Sequence, residues 1–171
     1  MLWRSSSSAD CCRNTALSWK GDEADPFDAA GSTLQYRAKD QHVALREQGG
    51  PLVASTGMLL VDVEVAQERF PVVGIGGVIV NAAFRGRGLA REVVEAALAK
   101  ARTLGPAHAL LFCHADRAGL YRRLGFAEVL SEVVIQQPGG PAVMPQRTMW
   151  RALRDDATWP TGPVIVHSLP F

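Results

Sequence analysis

The chain has 171 residues, with 18 Lys and Arg against 17 Asp and Glu, and 47% hydrophobic residues. A chain of this size closes one core, burying roughly 70% of its unfolded-chain surface without a disulfide or metal staple. The near-neutral balance argues against intrinsic disorder and against a dedicated nucleic-acid binder, which carries a basic excess.

Three cysteines (Cys11, Cys12, Cys113) make neither a disulfide framework nor a Cys-x-x-Cys clip, and the four histidines show no zinc spacing, so no metal site is expected. No apolar run approaches the roughly 20 residues of a membrane helix. Met1 to Ser8 holds an arginine and four serines but no apolar signal stretch. These features predict a reducing, cytoplasmic setting and no membrane partner.

In chain order, residues 1–33 read as a poorly structured segment, with one short helix around 16–20. Residues 34–153 read as the folded domain. Val43–Glu47 predicts a strand, Gly49-Gly50-Pro51 a turn, and Leu52–Val65 a long antiparallel partner. The end of that partner alternates apolar and acidic residues, so one face is wet. Pro71–Val80 is nearly all apolar, which suits a central strand buried on both faces. Its glycines predict a bulge or a close backbone approach. Leu89, Val93, Ala96 or Ala97, Ala101 and Leu104 recur at helical spacing, and Gly105-Pro106 ends that helix. Ala109–Cys113 predicts a buried strand. Asp116 is expected to cap a second helix running to Leu124. Phe126–Gln137 is extended, Pro138–Pro141 turns, and Arg147–Leu153 returns. The Pro-rich tail, 154–171, predicts an irregular wrap. The element order gives a mixed α/β domain, mostly antiparallel, with one parallel crossover between the strand ending at Val80 and the strand starting near Ala109.

Chemistry concentrates at Asn81 to Arg91, where a buried strand ends, a Gly-rich loop follows and a helix begins. Amides at a helix start have no intrahelical acceptor, and the helix dipole adds positive character there. Glycines admit a phosphate to the main chain, and Arg85, Arg87 and Arg91 add full charges, as pyrophosphate binding requires. Without a phosphate, the three arginines would be an ordinary solvated helix start; the buried strand before them favours the cradle. The dinucleotide fingerprint is excluded because Gly74-x-Gly76 meets Ile79 where the third glycine belongs. A P-loop run is absent.

Arg85-Gly86-Arg87-Gly88-Leu89-Ala90 matches [RQ]-x-x-G-x-[GA], and Leu120-Tyr121-Arg-Arg-Leu-Gly125-Phe126 places a tyrosine ahead of Gly-Phe. The pair resembles the two signatures of the GCN5-related N-acetyltransferases (GNAT), over residues 41–137. The resemblance implies a single-domain GNAT-like α/β fold whose mixed, mostly antiparallel sheet has splayed central parallel strands and flanking helices. It implies acetyl-CoA as cosubstrate and transfer of its acetyl group to a small-molecule or peptide primary amine by direct attack.

By that likeness Arg85, Gly86, Arg87, Gly88, Leu89, Ala90 and Arg91 bind the cofactor, the pyrophosphate sitting on the backbone N–H groups of Arg87 to Ala90, and pantetheine runs beside Val78, Ile79 and Val80. Tyr121 takes the position of the acid that protonates the leaving thiolate. His114 stands where the family often has a cofactor-contacting asparagine; a solvent-facing strand end is its alternative. A glutamate base found on the central strand of some members is missing from Gly74-Ile75-Gly76-Gly77, leaving His114, Asp62, Glu64 or water to take the proton. Cys113 reads as a buried strand residue, and Met144, Met149, Trp150 and Trp159 as packing.

The tyrosine motif and the Trp159-Pro160, Gly162-Pro163 tail loosely resemble aminoglycoside 2'-N-acetyltransferases. A cationic acceptor would need acidic neighbours such as Asp62, Glu64 or Asp155-Asp156. The competing class is a non-catalytic acyl-CoA-binding module. Exposed strands and the Pro-rich tail offer surfaces for a homodimer; Arg-Gly-Arg-Gly suggests RNA contact, but one copy in a neutral chain is thin evidence, and no nucleic-acid partner is expected.

Overall fold

The computed structural model describes residues 4–5, 32–47 and 50–171. The expected helix at 16–20, together with Cys11 and Cys12, lies outside the described residues. A ten-stranded mixed sheet forms the frame. Its strands are β1 (Arg4–Ser5), β2 (Gln41–Arg46), β3 (Leu52–Val65), β4 (Glu68–Val80), β5 (His108–Cys113), β6 (Ala127–Glu128), β7 (Val133–Ile135), β8 (Ala142–Val143), β9 (Arg147–Ala152) and β10 (Val164–Val166). The helices are α1 (Leu89–Ala101) and α2 (Ala118–Arg123), each preceded by a short 3-10 turn.

The spatial order is β6-β9-β5-β4-β3-β10-β7-β8. β3 is long enough to take two partners along one edge: β2 pairs with its first half and β10 with Val63–Val65. The tail is therefore more than the irregular wrap expected, because Val164–Val166 is a sheet strand, antiparallel to β3 and parallel to β7. Alternating buried valines drive this: Val164 and Val166 close over the apolar face that Val63 and Val65 present.

A second feature was invisible in the sequence. β3 and β4 join through Ala66 and Gln67, both with positive φ (51° and 71°). Such a two-residue turn usually carries Asn or Gly, so neither residue signalled it. The helix at α2 also starts differently from the expectation. Asp116 makes no capping bond; it lies within the 3-10 turn Ala115–Arg117 and pairs with Arg117 at 3.1 Å.

Two apolar clusters lie on opposite faces of the sheet, as alternation requires. Val73 and Ile75 of β4 join Leu89, Val93, Val94, Ala97, Leu98 and Ala101, the buried stripe of α1, and the α2 residues Ala118 and Tyr121. Val72 joins Leu59, Val61, Leu110, Phe112, Val133, Val164 and Phe171 in the other cluster. Both described helices thus cover the same face. Along the wet stretch of β3, Asp62 and Glu64 are half-exposed as expected, whereas Leu60 is 47% exposed on the same side.

The opposite face is closed near the start of β5 by a tight aromatic group. His108 packs against Phe70, Trp150 and Trp159 with ring centroids 5.5, 5.8 and 5.5 Å away, and its Nε2 meets Thr158 O at 2.9 Å. Trp150 and Trp159 stack on one another. The tryptophans are thus packing residues that fasten the tail to the sheet.

Candidate functional site

β4 and β5 are the parallel pair joined through α1. Their register holds only at Val73↔Ala109 and Gly74↔Leu110, although β4 continues to Val80 and β5 to Cys113. The two strands therefore part after Gly74, and the sheet opens into a wedge. On its other side β4 stays paired with β3 but carries a bulge. Gly57 pairs with Gly76 and Ser55 with Ile79, so β4 has one residue more than β3 in that interval. Gly77 absorbs the kink at φ 66°. The Thr56 hydroxyl, fully buried, donates to Gly76 O at 3.1 Å and so steadies the interrupted ladder. The bulge that the glycines predicted is real, and Val78, Ile79 and Val80 follow directly after it.

Beyond Val80, Asn81 accepts from Ala83 N–H through its side chain and caps the 3-10 turn Ala82–Phe84. Gly86 and Gly88 then adopt left-handed φ of 76° and 80°. A Cβ at either would meet nothing within 4 Å, so the loop backbone is open to an incoming group. The first amide of α1 to return to the chain is that of Glu92, donating to Gly88 O at 3.1 Å. The amides of Gly86, Arg87, Gly88, Leu89, Ala90 and Arg91 thus have no acceptor among the described residues. Left-handed glycines and unaccepted N–H groups at a helix start are features suited to an anion.

Its arginines differ in setting. The Arg87 guanidinium lies 5.0 Å over the Phe84 ring, Arg91 bonds Glu95 at 2.8 Å, and Arg85 reaches back to Val80 O at 3.3 Å. The fold therefore brings the wedge, the bulge and the cradle into one continuous path at the β4–α1 junction. The described residues fit an acyl-CoA there: backbone donors for a pyrophosphate, an extended strand for pantetheine, and an opening for the thioester.

Tyr121 sits on α2 in the helix-side cluster, edge-on to Phe126 with centroids 5.9 Å apart. It is 92% buried in effect (8% exposed), and burial first, then the neighbouring Cys113, push its hydroxyl up to about 12. The hydroxyl has no hydrogen-bond partner among the described residues. Cys113, with its thiol pushed by burial to about 11, donates to Met149 Sδ at 3.7 Å and is packing.

His114 lies exposed at the end of β5, its Nε2 3.2 Å from Gln146 Nε2. It lines a cleft of about 850 Å³ together with Tyr36, Glu128, Glu132, Met144 and Thr148. Arg122 and Arg147 both bond Glu128 and hold its carboxyl below the usual range against a partial desolvation. Thr148 pairs with Phe112 across β5–β9, so the cleft floor continues toward the wedge through Phe112, against which Phe171 packs at 4.9 Å. Met144, read as packing, lines this cleft as well as filling the core.

The acidic candidates for a base go elsewhere. Asp62 bonds Arg69 at 2.9 Å, and Glu64 meets His167 Nε2 at 3.0 Å. Asp62 pairs with Pro71, which is five residues along β4 from Gly76, about 17 Å at the rise of a strand. Sequence reasoning missed Thr56, Glu128, Arg147, Thr148 and Phe171. Thr56 and Phe171 become recognisable only once the register of β3, β4 and the tail is known.

Among the described residues there is no cluster of three or more metal-ligating side chains, and no helix is long and apolar enough to cross a membrane.

An Acetyltransferase (GNAT) domain model matches residues 4–129. No protein of curated function is a significant match. Among solved structures, the GNAT family N-acetyltransferase YhbS from Escherichia coli in complex with CoA superposes with a TM-score of 0.60 at 24% identity, covering 97% of this chain and 89% of that one. A GNAT family acetyltransferase from Brucella melitensis in complex with acetyl-CoA gives 0.51 at 21% identity, covering 76% and 68%. These likenesses concern the fold.

Proposed function

The chain belongs to the GNAT acetyltransferase family, and on that premise we propose that it transfers the acetyl group of acetyl-CoA to a primary amine by direct attack on the thioester. The observation that carries the reading is the run of unaccepted amides from Gly86 to Arg91 opening beside the β4–β5 wedge. Those amides, with Arg87 above them, hold the pyrophosphate. Val78, Ile79 and Val80 guide the pantetheine arm as an added strand. The backbone at the Gly77 bulge faces the thioester carbonyl and stabilises the developing oxyanion.

Tyr121 protonates the departing thiolate. A hydroxyl raised to about 12 keeps its proton throughout the neutral range, whereas an ordinary thiol loses its proton near pH 8.5, so transfer to the sulfur is momentary and driven by charge built up in the transition state. His114 borders the cleft and contacts the acceptor or the cofactor arm.

The acceptor enters by the cleft. Its charges are balanced, because Arg147 and Arg122 neutralise much of Glu128 and leave Glu132 as the main uncompensated carboxylate. That balance favours a small or peptide amine of low charge over a polycation such as an aminoglycoside. A chain of this kind acts in the cytoplasm, where acetyl-CoA is made available.

One observation favours the alternative of a non-catalytic acyl-CoA-binding module: Gly74–Gly77 carries no side chain that could take a proton. The Tyr121→Phe variant separates the two. The enzyme reading expects thiol release with a panel of primary amines to fall while acetyl-CoA affinity survives. Acetyl-CoA binding with no amine ever acetylated by the wild type would support the module instead.

A further inference from the structure

Lys39 is unused by the fold or by the proposed chemistry. Its backbone is fixed on both sides: Arg37 N–H donates to Pro170 O (2.7 Å) and Asp40 N–H to Met58 O (2.9 Å). Between these anchors the side chain lies across the sheet. A Cβ on Gly57 would fall 2.3 Å from Lys39 Cγ and 2.6 Å from its Cβ, and a Cβ on Gly76 would fall 3.3 Å from its Cε. Gly57 and Gly76 are register partners, so the stem crosses from β3 to β4 over two residues that lack side chains. It delivers the amine beside the β4 bulge, where the strands begin to part.

The amine has no ion pair or hydrogen bond among the described residues. The titratable group beside it is His42 of β2, whose Nε2 is 3.2 Å from the same Cβ position on Gly57. On its own segment Arg37 and Asp40 bond one another at 3.3 Å. β3 and β4 offer glycines at this point, and the tail offers the backbone carbon and oxygen of Phe171, 2.7 Å from the Cβ position on Gly76. Burial lowers the Lys39 ammonium below its ordinary value; burial and then Lys39 itself lower His42. Burial disfavours the Lys39 ammonium and so favours the neutral, nucleophilic amine.

We propose that Lys39 is an acetylation site of the chain itself, its amine taking the acetyl group from a thioester held in the β4–β5 wedge. This rests on the acetyl-CoA reading above. The nitrogen lone pair forms the C–N bond as the C–S bond breaks. The nitrogen sheds one proton to His42 or water, Tyr121 supplies one to the sulfur, and the products are an acetamide and CoA thiol. The acetamide then stands beside the bulge, so modification limits transfer to other amines.

The test needs no knowledge of the acceptor. The full chain is incubated with acetyl-CoA alone, and its three lysines, Lys20, Lys39 and Lys100, are followed by peptide mass spectrometry. Lys39 should gain the acetyl group at least about tenfold faster than the exposed Lys100, from proximity to the bound thioester. Urea should erase the preference, and Lys39→Arg should remove the fast event. The rate at Lys39 should level off at a lower pH than that at Lys100. Equal reaction at all three lysines would overturn the proposal, as would an unmodified Lys39 in a chain that binds acetyl-CoA by calorimetry. Absence of acetyl-CoA binding would instead overturn the reading on which it rests.

Discussion

Gly76 and Phe171 touch where the sheet opens: the Cβ that residue 76 lacks would sit 2.7 Å from the backbone carbon and oxygen of Phe171. Two residues earlier, a Cβ on Gly74 would sit 2.6 Å from the Phe171 ring and 3.0 Å from Leu59. The glycine run of β4 therefore has a steric cause. It makes room for the tail, and the tail takes the space in which a strand-borne glutamate would have projected.

Gly76→Ala should consequently displace the Phe171 end of the tail. The obstruction is backbone, so it gives way poorly, and overpacking of this kind costs about 1–3 kcal/mol. Denaturant melts should show that loss, with acceptor turnover falling more than acetyl-CoA affinity. Unchanged stability and turnover would mean that the tail does not pack there in solution.

Gly88→Ala should behave oppositely. Its φ of 80° strains any side chain by roughly 1–2 kcal/mol, yet a Cβ there meets open space. Folding should survive with a modest loss, while acetyl-CoA affinity drops several-fold because the cradle amides turn. Calorimetric titration of the variant checks this.

Thr148→Val removes a hydroxyl that is buried without a partner. Losing an unsatisfied group should leave stability within about 0.5 kcal/mol of the wild type, or raise it slightly. The hydroxyl is sealed from the cleft, so the KM for an amine acceptor and the affinity for acetyl-CoA should both stay as in the wild type.

His108 gives a pH prediction. Burial depresses it below its ordinary 6.5; its bond to Thr158 O raises it somewhat, and Arg154 lowers it further. The unfolded chain thus takes up the proton first as pH falls. Stability from the neutral ring is fully present above pH 6.5 and is lost as pH drops through the folded-state value. His42, also depressed, adds in the same direction. Thermal melts from pH 8 downward should show this decline beginning near pH 6.5, and His108→Phe should reduce it.

Much of the frame was legible in the sequence for identifiable reasons. Leu59–Val65 alternates, Pro71–Val80 is nearly all apolar, and the α1 stripe keeps its spacing, so each element declared its period. The open Gly86–Gly88 loop and the start of α1 were legible because glycines and arginines follow a buried strand. What stayed hidden depended on distant partners. Val164–Val166 is too short to signal a strand without β3 and β7 beside it. The Ala66–Gln67 turn carries no turn-forming residue, and Lys39 and Phe171 gain meaning only from the glycines they overlie. Asp62 and Glu64 looked available as bases because their partners Arg69 and His167 could not be foreseen.

The most direct measurement of the central claim is a calorimetric titration of the full-length chain with acetyl-CoA. The account predicts saturable one-to-one binding that survives Tyr121→Phe and weakens in Gly88→Ala. No measurable binding, or equal binding in the Gly88 variant, would contradict it.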